Sequence, residues 1–487
     1  MNPPHVEVIT APRPATGGFS LRRGSVAGVY CAMLLTAFVS SAGITVIYSM
    51  LPTLQRTFPG QPALAWVVTI YWLCSAVAAA VCGRLGDLRG RRSVMAVVLV
   101  LCCIGALLAS WAPNLTWLIV ACAIQGSASA ITPLAFGIFR ENLAPDRVPV
   151  AVGVLTSAGT VCAGVIFVTS GMVIDRYSWQ GGFLLKAGLA ALALVALFAW
   201  VPASKPAPGP RVDLIRGILF APALAALLVC VQQLRTWGSG DPRLWGLFVA
   251  GALLLAVWAR HQLGQAHPLM GLRLLANRQI ALANTCIIMI VLGSIQIGQV
   301  LSMFFQQPRW TGTGLGLTAT GSGLMHLALD AVSIIAAPWS GMIAARYGAR
   351  RSALFGFCVI VAAWTWLALW HGDRAITLAG AALALSGYAV AMTGLYNLII
   401  ESTPKERTGE AIGLTYVLFT AFFAVGAQIM FALLSVGHGV TSAAHGPAVF
   451  PSDGAYILAF GYIAATGVLG FLLATRLPHT GARRVAA

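Results

Sequence analysis

Acidic residues are scarce in this chain: 13 Asp and Glu in 487 residues, against 30 Lys and Arg. Charged residues of either sign make up only 9% and hydrophobic residues 59%, and the mean hydropathy is +0.85. So few charges cannot cover a water-soluble domain of this length, and the formal charge of +17 therefore does not point to a nucleic-acid partner. Disulfide chemistry is excluded as well. The ten cysteines (31, 74, 82, 102, 103, 122, 162, 230, 286 and 358) fall within or at the edge of long apolar runs, where they read as small core residues. No HExxH, GxSxG or P-loop sequence occurs and no run holds paired acids, so neither a membrane enzyme nor an ATP-driven pump is supported, and no metal or cofactor is expected.

What the chain has instead is fourteen apolar segments, beginning near residues 26, 62, 94, 115, 150, 182, 214, 244, 279, 317, 352, 376, 410 and 455. Each is long enough, at roughly 20 residues, to cross a bilayer as a helix. The expected class is an all-α polytopic membrane protein whose constant partner is the lipid bilayer. Most Lys and Arg gather in alternate loops, so the positive-inside rule places both termini in the cytoplasm. The first 25 residues lack an apolar h-region, which makes the first span an uncleaved anchor, and the expected location is a bacterial inner membrane.

The densest charge cluster is GRLGDLRGRR, Gly83 to Arg92, a short cytoplasmic hairpin between spans two and three. GMIAARYGARR at 341 to 351 repeats it at a constant offset of 258 residues, aligning Gly83 with Gly341, Gly90 with Gly348 and Arg92 with Arg350. The second copy carries Ala345 where the first has Asp87. Two six-helix halves fit that offset. The expected organisation is a tail over 1–25, a first half over 26–203, a connector with two extra spans over 204–278, a second half over 279–476 and a tail over 477–487. The connector opens on the Pro-rich SKPAPGP at 204 to 210.

The residues Gly83, Leu85, Asp87, Gly90, Arg91 and Arg92 form the pattern G-x-L-x-D-x-x-G-R-R, and with LPTLQ at 51 to 55, Trp66, Tyr71, Gln125-Gly126, Ser178-Trp179 and HPLMGLRLL at 267 to 275 the chain resembles the major facilitator superfamily. The closer resemblance is to its fourteen-helix drug:proton antiporter branch. The resemblance implies an alternating-access transporter with a central cavity between two six-helix halves. It also implies that the cluster from Gly83 to Arg92, with Arg89 among its bases, latches the outward-facing state, Asp87 pairing with Arg91 or capping a helix. Three departures stand against the branch pattern. Gly43 occupies the position of a usual span-one Asp, Cys122 that of a usual span-four Arg, and Ile166-Phe167 that of a usual Gly-Pro pair, with only Gly171 retained.

If a proton gradient drives transport, another titratable group must carry it. Asp330 is the one acid expected near a membrane midplane, and His326, four residues earlier, shares its helix face. An ionised carboxylate facing lipid costs on the order of 3 kcal/mol, so intramembrane acids normally line cavities. A self-satisfied packing pair is the competing reading. Lys186 reads as a lysine snorkelling to the interface. Cavity candidates are the polar and aromatic residues inside apolar helices: Ser40, Ser41, Thr45, Tyr48, Tyr71, Gln125, Asn284, Gln296, Gln299, Tyr388, Tyr396 and Asn397. Interhelical hydrogen bonds are the alternative for each. Phe419, Phe422 and Phe423 read as packing. The expected function is proton-coupled efflux of a hydrophobic or amphipathic small molecule by a monomer. A symporter, a lipid transporter, an uncoupled facilitator and a non-transporting sensor of the same fold stay open.

Overall fold

The computed structural model describes residues 25–59, 61–144, 147–204, 219–238, 240–265, 271–403, 408–436, 440 and 449–477. The two tails, most of the Pro-rich connector, the start of HPLMGLRLL and the side chains of Asp87 and Ala345 lie outside the described residues.

Fourteen long helical segments follow one another in the order the apolar runs dictate. They are α1 (Val26–Thr57), α2 (Ala65–Arg89), α3 (Arg91–Ser110), α4 (Leu115–Asn142), α5 (Val148–Arg176), α6 (Trp179–Trp200) and α7 (Phe220–Trp237). They continue with α8 (Pro242–Gly264), α9 (Arg278–Gln306), α10 (Ala319–Tyr347), α11 (Ala349–Leu369), α12 (Arg374–Glu401), α13 (Thr408–Leu434) and α14 (Asp453–Ala474). Among the described residues, twelve helices are long and apolar enough to cross a membrane. The chain is a multi-pass membrane protein.

Polar residues at the run boundaries start the helices. Ser25, Asn114, Thr318 and Ser452 each turn a side-chain oxygen onto a backbone N–H three residues on, at 3.0 to 3.3 Å, which satisfies a donor the helix cannot use itself. The hairpin glycines end them. Gly90 (φ 89°) and Gly348 (φ 87°) each close one helix and open the next in a conformation that side chains with a Cβ rarely adopt. This is why the repeat keeps a glycine at both places. Two helices are interrupted: α4 passes through a 3₁₀ turn at Gly126–Ala130, and α9 breaks at Gly293 into a 3₁₀ turn, Ser294–Gln296.

Helices α1 to α6 pack chiefly on one another, as do α9 to α14. The two sets meet along α5 against α10 and α2 against α13, and α1 also reaches the second part of α9. By the 258-residue repeat α2 corresponds to α10 and α5 to α13, so the two seams are copies of one contact. Helices α7 and α8 pair with each other, and α7 lies beside α2 and α13.

Candidate functional site

The seam between the two helix sets is where the sequence reading expects a central cavity, and its two ends differ. One end, here the basic end, carries the Gly90 and Gly348 turns and the arginines that follow them. At the opposite end the sets are clasped. Asp175, near the end of α5, accepts hydrogen bonds from the backbone N–H groups of Ala319 (3.0 Å) and Thr320 (2.8 Å) and so caps α10 across the seam. Arg56 donates to the Gln306 carbonyl at 3.1 Å, and Gln306 donates back to the Ser49 carbonyl at 3.1 Å. On the second seam Thr69 donates to Gln428 at 2.8 Å, and Trp72 stacks on Phe423 with ring centroids 3.9 Å apart. Phe423, which reads from the sequence as packing, packs across the two helix sets.

Small residues let the backbones touch here. A Cβ on Gly171 would lie 2.5 Å from the Ala319 carbonyl oxygen, and one on Gly323 would lie 2.5 Å from the Phe167 carbonyl oxygen. Nearer the middle, a Cβ on Gly164 would meet Leu327 at 2.7 Å and the Asp330 carboxylate at 3.1 Å. Towards the basic end, added Cβ atoms on Gly159 of α5, Gly341 of α10 and Gly83 of α2 would meet nothing within 4 Å. At the capped end the two helix sets are in backbone contact, whereas these three glycines of the basic half border open space.

Asp330 sits on the seam beyond these close approaches, its carboxylate against Gly164 of α5. It is half-buried, and its Oδ2 is buried with no hydrogen-bond partner. His326 shares its helix face but not its contacts. The imidazole stacks on Phe167 at 4.0 Å, approaches the Ser322 carbonyl (2.9 Å) through Nδ1 and the Ser302 hydroxyl (3.4 Å) through Nε2. Neither a hydrogen bond nor an ion pair joins it to Asp330, so the two do not satisfy each other.

The other candidates separate into seam and core. Tyr48 accepts from the Trp72 indole at 3.4 Å and packs against Gly298 of α9, at the closed apex of the cleft. Gln296 and Gln299 reach from the α9 break to the Phe423 and Ala427 carbonyls of α13 (3.3 and 3.4 Å), each leaving Oε1 without a partner. Asn284 bonds back to Ile280 within its own helix at 2.9 Å. Tyr388, Tyr396 and Asn397 are half-buried on α12. Gln125 and Tyr71 lie in the core of the first helix set rather than on the seam, where they surround Lys186.

Lys186 does not snorkel. It is fully buried, donating to the Gly43 carbonyl at 3.2 Å and to the Gln125 side-chain oxygen. The expectation failed because position along α6 sets how far the ammonium must reach, whereas the rotation of α6 decides whether it faces lipid or core. At the basic end Arg91 pairs with Glu141 at 3.0 Å and with the Gly137 carbonyl at 3.1 Å. Arg92 is buried, with its guanidinium over Phe198 and bonded to the Phe198 carbonyl at 3.2 Å. Arg350 reaches the Thr475 carbonyl, and Arg89 is exposed. These contacts lie within one helix set, so the arginines fasten the hairpins to their own bundles.

The sequence profile of the Major Facilitator Superfamily matches residues 33–427, most of the chain. The chain belongs to the major facilitator superfamily. Among its relatives is the multidrug resistance protein Stp of Mycobacterium tuberculosis, 29% identical over 419 residues that cover 82% of this chain and 75% of the relative. The lincomycin resistance protein of Streptomyces lincolnensis is 27% identical over 381 residues, 76% of each chain. The tetracenomycin C resistance and export protein of Streptomyces glaucescens is 23% identical over 399 residues, 80% of this chain and 72% of the relative. A solved D-xylose–proton symporter shares the fold with a TM-score of 0.65 at 14% identity, over 94% of this chain and 99% of that one. As a superfamily member the chain is a membrane transporter and not an enzyme.

Two elements of the cleft escaped the sequence reading. Asp175 stood among the thirteen acids without distinction, although the cap it completes begins with Thr318 on another helix. Trp72 gave no signal, because nothing in the sequence pairs it with Phe423.

Proposed function

We propose that this transporter exports an aromatic, lipophilic small molecule by alternating access, driven by the proton gradient. The carrying observation is the buried, unpartnered Oδ2 of Asp330 on the α5–α10 seam, facing Gly164. A carboxylate there can hold either a proton or a cationic substrate, and the two exclude each other. Of the aromatic rings at the apex, Tyr48 and Phe423 are buried, and Trp72, stacked on Phe423, is half-buried and offers apolar surface to a ring-bearing substrate. The names of the relatives, resistance and export proteins, support the direction.

In this reading the basic end and both tails face the cytoplasm of a bacterial cell, and the chain crosses the membrane fourteen times. It works as a monomer without a cofactor, with α7 and α8 standing outside two six-helix halves. The cleft described here is then the inward-facing one, and export requires the clasp at the capped end to part while the basic ends of α5 and α10 close.

The test is uptake of ethidium, a lipophilic aromatic cation, into proteoliposomes with an imposed pH gradient, acid inside. Ethidium should accumulate against its own gradient and leak out when nigericin collapses the pH difference. Ethidium that only equilibrates, faster than in empty liposomes but blind to the pH gradient, would make the protein an uncoupled facilitator. Movement no faster than in empty liposomes overturns the reading.

A further inference from the structure

Lys186 is buried in the core of the first helix set with no counter-charge. Its ammonium lies between the Gly43 carbonyl of α1, the Gln125 side-chain oxygen of α4 and the ring of Tyr71 on α2, 5.8 Å from the ring centroid. Gln125 is held in that orientation, because its Nε2 donates to the Gly105 carbonyl at 3.1 Å. A side chain at position 43 would have to displace the Tyr71 ring, since a Cβ there would collide with its hydroxyl.

The titratable groups facing the site are Tyr48 of α1, Tyr71 of α2, Cys102 and Cys103 of α3 and Cys122 of α4. None is a carboxyl. Helix α5 contributes Asp175, whose carboxylate is committed to the backbone of α10. The ion pairs among the described residues are Arg91–Glu141 and His371–Asp453, and Lys186 takes part in neither.

We propose that Lys186 is a second proton-exchanging group of the transport cycle. Burial without a counter-ion disfavours the ammonium by desolvation, and neutral acceptors offset only part of that cost. The cage suits both protonation states. The ammonium offers N–H groups to the two oxygens and the third to the Tyr71 ring face. When it gives a proton to water, the N–H bonding pair stays on Nζ as a lone pair and the amine keeps two N–H donors for the same two oxygens.

The charge is also mechanically connected to the cleft. Helix α1, which supplies the Gly43 carbonyl, carries Ser41, bonded to the Gly159 carbonyl of α5 at 2.9 Å, and Tyr48, packed on Gly298 of α9. Helix α4 passes into its 3₁₀ turn immediately after Gln125, and there Ser129 bonds the Ser75 carbonyl of α2 at 2.9 Å. Loosening α1 and α4 admits water to the amine, and gaining the proton favours the loosened packing. Proton exchange at Lys186 and movement of the seam helices are thereby coupled.

The inference rests on the proton-coupled reading, and the experiment separates the two. Ethidium accumulation driven by the pH gradient is compared in proteoliposomes with ethidium–ethidium counterflow, which needs no proton movement. Lys186→Arg keeps a charge that cannot be released and Lys186→Gln removes it. Each should cut gradient-driven accumulation by about tenfold and leave counterflow within about twofold of wild type. Lys186→His restores a titratable base of lower intrinsic pKa, so it should restore accumulation with a pH profile moved to lower pH, which a packing role would not do. Gradient-driven accumulation within about twofold of wild type in both the Arg and Gln variants overturns the proposal, as does a His variant with an unmoved profile. If the wild type itself ignores the pH gradient, the coupled reading fails and this proposal with it.

Discussion

The two ends of the α5–α10 seam are built from the same kinds of residue and behave oppositely. At the capped end Gly171 and Gly323 bring the helices into backbone contact and Asp175 fastens them. Towards the basic end Gly159 and Gly341 face open space. Glycine composition therefore does not decide which end is closed. What differs is a specific cap: a charged hydrogen bond to an unsatisfied helix end exists at one end, whereas the described arginine contacts at the other stay within their own bundles. In the alternating-access reading proposed above, the seam acts as a hinge with a clasp on one side, and Asp330 lies at its pivot.

The largest break comes from filling the close approach. Gly323→Leu places a side chain where the Phe167 backbone lies, and overpacking of this kind costs typically about 1–3 kcal/mol. The capped end should then be unable to shut. Distances between spin labels on the capped ends of α5 and α10 should lengthen, and ethidium accumulation in proteoliposomes should fall by roughly tenfold or more. Unchanged distances would mean that the seam does not close through this contact.

Asp330 tests the pivot itself. Asp330→Asn imitates the protonated carboxyl at nearly constant shape, so folding should be preserved. With no proton to exchange, the variant should lose most of its response to external pH and about tenfold of its gradient-driven accumulation. His326→Ala should alter the size of transport and not its pH response, because the ring stacks on Phe167 and does not bond Asp330. A His326→Ala profile displaced along the pH axis would show that the two side chains meet at another stage of the cycle.

Fourteen apolar runs, the paired glycine turns and the superfamily were legible in the sequence because hydropathy, φ > 0 positions and motif spacing are local properties. The seam was not. Asp330 stood out as an acid in an apolar helix, yet its separation from His326 depends on Phe167, a residue of α5 that the departure from a Gly-Pro pattern marked only as missing something. Lys186 was misplaced for the same reason. Its height in α6 is a property of the sequence, whereas its contact with Gly43 and Gln125 depends on the rotation of three helices.

A smaller effect is expected at the clasp. Removing the cap with Asp175→Ala leaves the Ala319 and Thr320 N–H groups to water and costs about 1 kcal/mol of the closed end, as for other N-cap losses. That is about a fivefold shift in the balance between the two ends, visible as a broader distribution of spin-label distances at the capped end, with protein yield unchanged. Asp175→Asn, which still accepts a hydrogen bond but lacks the charge, should fall between wild type and Ala.

The smallest effect should come from the open end, and its direction is what matters. Gly341→Ala adds a methyl group where nothing lies within 4 Å. Alanine is favoured over glycine in a helix interior by up to about 1 kcal/mol, so thermal stability of the purified protein should rise slightly or hold. Any cost must then appear only when the basic ends of α5 and α10 approach each other. Counterflow, which needs both ends to open and close, should slow in Gly341→Leu more than in Gly341→Ala, while ethidium binding to the resting protein stays the same in both. Equal counterflow in wild type and the Leu variant would show that the basic end never closes as tightly as the capped one, and the two ends would then differ in mechanism as well as in structure.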